Sequence, residues 1–154
     1  MNGSLPAGRL AGVDYGRRRI GVAICDATRI ICSPLCVHLT SGDREGDAAF
    51  FRRLAGDESI AGFVVGLPVH ADGTDSAMSA EVERFGAWLG RVTDLPVTFH
   101  DERYTSREAA GMLAGVGLTR DRKKSLADAV AAQVILQSWL ECRSRGEGPQ
   151  ALDG

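Results

Sequence analysis

The chain has no long apolar run, no cysteines in CxxC spacing, no excess of basic charge and few aromatic residues, and each shortage removes a class of protein. No stretch approaches the roughly 18 consecutive apolar residues of a membrane helix. Residues Met1 to Gly12 lack the apolar centre of a signal peptide, so a cytoplasmic location is expected. Lys and Arg number 18 against 20 Asp and Glu, a net charge of −2. Proteins that coat nucleic acid without specificity are usually strongly basic, so any such surface here has to be a local patch. Cys25, Cys32, Cys36 and Cys142 read as buried thiols of a reducing compartment. Cys32 and Cys36 sit four apart in an apolar, extended segment, which is poor spacing for zinc. His38, His70 and His100 are scattered, and no cysteine adjoins one that could serve as its base. That argues against a Ser or Cys nucleophile.

What is present suits one domain. The 154 residues are 44% hydrophobic and 25% charged, an ordinary globular mixture. A chain of this length buries about two thirds of its unfolded surface and needs no disulfide or metal to fold. No internal repeat or linker interrupts it. Residues 1–8 and 143–154 read as loose tails around a domain spanning 9–142.

Apolar runs at Arg9–Asp14 and Ile20–Cys25, joined by Tyr15–Arg19, predict a β-hairpin. A third extended run, Ile30 to Leu39, contains Pro34 and so favours a sheet edge. Helical spacing follows over about Asp43–Ala55, with Ala48, Phe51 and Leu54 on one side. Ala61–Leu67 is a wholly apolar strand, as expected where both sheet faces are covered. Ser76–Val92 is a second helix with a Val82, Phe85, Leu89 stripe, and Leu95–His100 a fifth strand. Thr105-Ser106-Arg107-Glu108 matches a capping box and predicts a helix to about Ala114. A last helix is expected from Ser125 to about Cys142. Three strands in series and then alternating helices and strands imply an α/β fold, a mixed five-stranded sheet with helices on both faces.

Three acidic positions stand out. Asp128 shares the helical side of Ala132, Ile135 and Trp139, opposite Gln133, Gln137 and Glu141, and a carboxylate on an apolar side needs a partner. Ser125-x-x-Asp128 also has capping-box spacing, so a first-turn cap is the plainer reading. Asp14 ends the first strand, where it can start a turn or serve chemistry at a strand end. Asp101-Glu102 follows the fifth strand, and side-chain alternation lets only one of them share a side with Asp14. Carboxylates converging without a counter-ion would repel until one took up a proton. Mg²⁺ or Mn²⁺, which prefer oxygen ligands, would resolve that conflict. Cations adjoin each acid: Arg17-Arg18-Arg19 after Asp14, Arg103 and Arg107 after Glu102, and Arg120–Lys124 before Asp128. Acids suited to metal beside cations suited to a phosphodiester backbone point to nucleic acid.

The segment Gly12-Val13-Asp14-Tyr15-Gly16-Arg17-Arg18-Arg19-Ile20-Gly21-Val22-Ala23 resembles the opening motif of the YqgF/RuvX family, the Holliday-junction-resolvase-like branch of the RNase H fold. Three further stretches agree in order and spacing. They are Val65-Gly66-Leu67-Pro68 with Asp72-Gly73-Thr74, Asp101-Glu102-Arg103 with Thr105-Ser106, and Asp128-Ala129-Val130-Ala131-Ala132 with Ile135-Leu136-Gln137. Arg18 stands where the family often has Lys, and His70-Ala71 depart from its usual loop.

The resemblance implies an RNase H-like nuclease that uses Mg²⁺ or Mn²⁺, with Asp14, Glu102 and Asp128 as catalytic and metal-binding acids. Only by this analogy is Glu102 preferred to Asp101. Arg18, Arg19, Arg103, Arg122, Lys123 and Lys124 are the residues expected to hold a nucleic-acid backbone. Family members are linked to maturation of the 5′ end of pre-16S ribosomal RNA, and some to cleavage of four-way DNA junctions. The implied partner is structured nucleic acid, bound by a monomer or a homodimer. Two readings compete: a nucleic-acid-binding factor without catalysis, and an actin-like ATPase, for which one domain of this size is too small.

Overall fold

The first three apolar runs form an antiparallel meander of β1 (Arg9–Asp14), β2 (Arg19–Cys25) and β3 (Cys32–Leu39). Then follow α1 (Arg44–Asp57), β4 (Ile60–Leu67), α2 (Ala77–Thr93), β5 (Val97–Asp101) and α3 (Arg120–Ser144). The computed structural model describes residues 5–68, 77–102 and 120–144, with the backbone alone over 120–126 and at 144. The helix expected from Thr105 lies outside the described residues.

The strands form one sheet in the order β3-β2-β1-β4-β5, with β1, β4 and β5 mutually parallel. Pro34 is indeed on an edge strand. Pairing there jumps from Val22↔Cys36 to Ala23↔Pro34, so Leu35 is the extra residue of a bulge beside the proline. Asp43 caps α1 by accepting from the Glu45 backbone N–H at 3.1 Å. Ala48, Phe51 and Leu54 of α1 and Val82, Phe85 and Leu89 of α2 are buried, as their spacing predicted.

Period-two alternation divides the sheet into two faces. Ala11, Val13, Ile20, Val22, Phe63 and Val65 pack under α1 and α2. All five phenylalanines lie on that side, centred on Phe51, whose ring meets Phe63, Phe85 and Trp88 at centroid distances of 6.4, 6.0 and 6.1 Å. On the other face Leu10, Cys25 and Val64 pack with Ile135, Leu136 and Trp139 of α3. Leu5 joins this second cluster, and Arg29 donates to the carbonyls of Pro6 and Gly8. The packed body therefore includes part of the stretch read as a tail.

Two expectations for the last helix need correction. It begins at Arg120 rather than Ser125, because Arg and Lys are good helix formers and the basic run continues the helix. Asp128 is thus an interior residue, not a first-turn cap. Gln133, expected on a solvated side, is 6% exposed and donates from Nε2 to the Cys32 carbonyl at 3.0 Å. The helix crosses the edge strand β3 as well as β1 and β2, which covers that flank.

Candidate functional site

The site is built on a row of small residues. Asp14 pairs with Gly21 across β1 and β2, and the next residue after the Val13↔Val65 pair in β4 is Gly66, which stands beside His100 in β5. With Gly21 and Gly66 flanking Asp14, nothing tall holds α3 away. A Cβ on Gly21 would fall on the Asp128 carbonyl, and one on Gly12 would come within 2.6 Å of the Ala132 carbonyl. The backbone of α3 therefore rests directly on the sheet, and this contact sets Asp128 over the pair partner of Asp14. Glycine inside a strand is a known signal of close backbone approach. Gly12 and Gly21 carried that signal in the sequence, yet only the acids were singled out.

The same alternation separates Asp101 from Glu102. Phe99 belongs to the α1/α2 face, which puts Asp101 on that side and leaves Glu102 with Asp14. Glu102 Oε1 lies 3.0 Å from where a Cβ on Gly66 would stand, so its carboxylate reaches over β4 toward the Asp14 row.

The electrostatics follow from this packing. Burial pushes the Asp14 carboxyl from 3.8 up to about 7, and the charges of Glu102 and then Asp128 add in the same direction. Burial first, and the charge of Asp101 second, hold Glu102 above the usual carboxylate range. Asp128 Oδ2 is buried and accepts no hydrogen bond among the described residues; Arg19 Nε stands 3.4 Å away. His100 is buried beside this row, and burial drives its imidazole down to about 4, so it is neutral near pH 7.

The three acids thus converge from β1, the end of β5 and α3 into one coupled group. The cations divide. Arg18 is exposed in the β1–β2 loop, whereas Arg19 turns toward Asp128, its side chain still partly exposed. Arg122, Lys123 and Lys124 lie in the first turns of α3, where only the backbone is described, and Arg103 lies outside the described residues. Among the described residues no three acid, His or Cys side chains cluster tightly enough to hold an ion in their present positions. The donor chemistry nevertheless fits a hard divalent cation: all oxygen, collectively negative, with one buried carboxylate oxygen short of a donor.

Sheet order, the covering helices and strand-end acids define an RNase H-like fold of the RuvC kind. Thermus thermophilus RuvC in complex with Holliday junction substrate superposes with a TM-score of 0.57 at 20% identity, covering 90% of this chain and 96% of that one. A second T. thermophilus RuvC structure gives 0.54 at 17% identity, covering 88% and 96%. Within that class the chain belongs to the RuvX family, whose model, described as Holliday junction resolvase, matches residues 8–142. A Rhodopirellula baltica protein is 52% identical over 141 residues, 91% of this chain and 81% of that one. A Dechloromonas aromatica protein is 41% identical over 135 residues, covering 87% and 91%. Both bear the name "Putative pre-16S rRNA nuclease".

Proposed function

We propose that the chain is a cytoplasmic nuclease that hydrolyses phosphodiester bonds with Mg²⁺ or Mn²⁺, acting in maturation of the 5′ end of pre-16S ribosomal RNA. The observation that carries this reading is the coupling of Asp14 to Glu102 and Asp128 on one face, with its carboxyl raised to about 7. A fold stores such repulsion only where something offsets it, and perturbed acids of this kind gather at functional sites. The names of the R. baltica and D. aromatica relatives supply the RNA substrate.

Asp14, Glu102 and Asp128 would hold the metal, which when bound polarises a phosphate and acidifies water. The chain's own part is to fix the carboxylates on rigid elements and to exclude competing partners. Asp14 is held at the end of a central strand, and Asp128 by the seating of α3 on Gly21 and Gly12. His100, neutral and buried, adds no competing positive charge to the acid row. Arg18 remains available at the loop for a phosphate.

Asp14→Asn and Asp128→Asn test the assignment. Cleavage of a structured RNA with a 5′ extension should be lost in both, in Mg²⁺ and in Mn²⁺, while the fold persists by circular dichroism. Folded variants that cut at the wild-type rate would refute it. The family description favours one other substrate, a four-way DNA junction. Symmetric resolution of a junction needs two active sites, so junction cleavage by a homodimer, with the RNA left intact, would select that alternative.

A further inference from the structure

On the side of the sheet opposite Asp14, a cleft of about 690 Å³ opens between the β1–β2 loop, the start of α1 and α2. Its floor is aromatic. Tyr15 packs on Phe85 at 4.6 Å between ring centroids, Phe85 on Trp88 at 5.8 Å, and Trp88 is only half-buried. Its rim carries Arg17, Arg44, Arg84 and Arg91 against two acids, Asp47 and Glu81.

Both acids are already engaged. Glu81 accepts the Tyr15 hydroxyl at 2.8 Å and the Arg17 guanidinium at 2.9 to 3.1 Å, and Asp47 is bonded to His38 Nε2 at 2.8 Å. Arg44, Arg84 and Arg91 are exposed and form no ion pair among the described residues. The cleft thus has surplus positive charge around an aromatic floor. Helix geometry orders it further: Arg84, Trp88 and Arg91 are spaced four and three residues apart, so a guanidinium stands about one turn to either side of the ring. The two arginines are about 10 Å apart along the helix axis.

An anionic ligand with flat aromatic parts matches this pattern, because bases stack on aromatic rings and guanidiniums grip phosphates in a fork. We propose that this cleft binds single-stranded nucleic acid, with a base stacked on Trp88 and the flanking phosphates held by Arg84, Arg91 and Arg44. It rests on the nuclease reading and deepens it. Asp14 and Tyr15 are consecutive and face opposite sides of the sheet, so a strand rounding this end of β1 meets the carboxylates and then the cleft. The cleft would hold the unpaired flank of the substrate while the acids address the scissile bond.

The test uses the full chain in EDTA, where no cleavage occurs, with a fluorescein-labelled eight-nucleotide single-stranded RNA. Binding followed by anisotropy should weaken about tenfold or more in Arg84→Ala/Arg91→Ala, and the slope of affinity against salt should flatten by roughly 1.4, two phosphate contacts on a single strand. Unlabelled oligonucleotide should quench Trp fluorescence in wild type, and Trp88→Phe should abolish the quench. Unchanged affinity and slope in the double variant would overturn the proposal, as would equal binding of an acidic peptide without any quench. The outcome is separable from the catalytic reading. Failure of the wild-type chain to bind the oligonucleotide while its Asp14-dependent cleavage is intact would overturn only the cleft, and wild-type binding without any nuclease activity would overturn only the catalytic reading.

Discussion

The two faces of this sheet solve opposite problems. Under α1 and α2 the residues are large: five phenylalanines and Trp88 fill the space, and distance between layers is set by rings. Under α3 the strands present Gly12, Gly21 and Gly66, and the helix backbone itself lies on the sheet. The first arrangement maximises buried apolar area, which is what stabilises a domain. The second gives up side-chain area to bring three carboxylates from distant segments within reach of one another, against their charge. One face of the molecule holds it together and the other holds it poised.

If that division is right, Asp14→Asn separates the two most sharply. A direct ligand should matter more than the groups behind it, whose loss typically costs 10- to 100-fold. Turnover in Mg²⁺ should therefore fall by at least about 10²-fold. Stability should move the other way: the metal-free variant should unfold at or above the wild-type temperature at pH 8, because a buried, repelled charge has been removed. A clear loss of stability at pH 8 would show that Asp14 is structural.

Much of this division was legible in the sequence. Apolar runs and helical stripes placed all five strands and the buried sides of α1 and α2, because those signals depend only on local period. Asp14 was visible as a carboxylate at a strand end. Asp101 and Glu102 could not be told apart, since alternation says only that they face opposite ways; the packing of Phe99 decides which is which. Arg120–Lys124 was misread because charge runs suit a loop and a helix equally. The Arg17–Glu81 pair and the Gln133–Cys32 bond join residues 64 and 101 positions apart, and no local pattern anticipates them.

A methyl group added to each face gives the next largest effect. On Gly21 it would meet the Asp128 carbonyl, backbone against backbone, and α3 would have to lift. On Gly86 of α2 it would meet the ring of Phe99, which can turn, and alanine would return about 1 kcal/mol of helix propensity. Gly21→Ala should cost about 3 kcal/mol, at the upper end for overpacking, and lower the melting temperature by roughly 6–12 °C. Gly86→Ala should lose clearly less. Equal losses in thermal melts would mean that α3 is not seated on glycine.

Metal affinity should carry the signature of the raised Asp14 carboxyl. Between about pH 4 and pH 7 the folded chain retains a proton that the unfolded chain has lost. The stability linked to this group is therefore full below about pH 4, falls as pH rises toward 7 and is level above that. Glu102 acts in the same sense. An ion held by Asp14, as proposed, would have to displace that proton, so Mn²⁺ affinity measured by calorimetry should drop about tenfold per pH unit below 7 and be flat above it. A profile flat down to pH 5 would place the ion away from Asp14.

The smallest effect concerns Arg19, the one cation among the described residues that pairs with the acid row. Its Nε is 3.4 Å from Asp128 Oδ2, with the two side chains 41% and 31% exposed. Exposed pairs of this kind are worth up to about 1 kcal/mol. A divalent ion held by Asp128, as proposed, would compete with the guanidinium for the same carboxylate. Arg19→Gln should therefore tighten Mn²⁺ binding by about two- to fivefold, and the gain should shrink in high salt as the charges are screened. If Arg19 instead served the phosphate backbone, the variant would leave Mn²⁺ affinity unchanged and weaken RNA binding. The sign of the metal effect thus decides whether this arginine belongs to the carboxylate group or to the substrate surface around it.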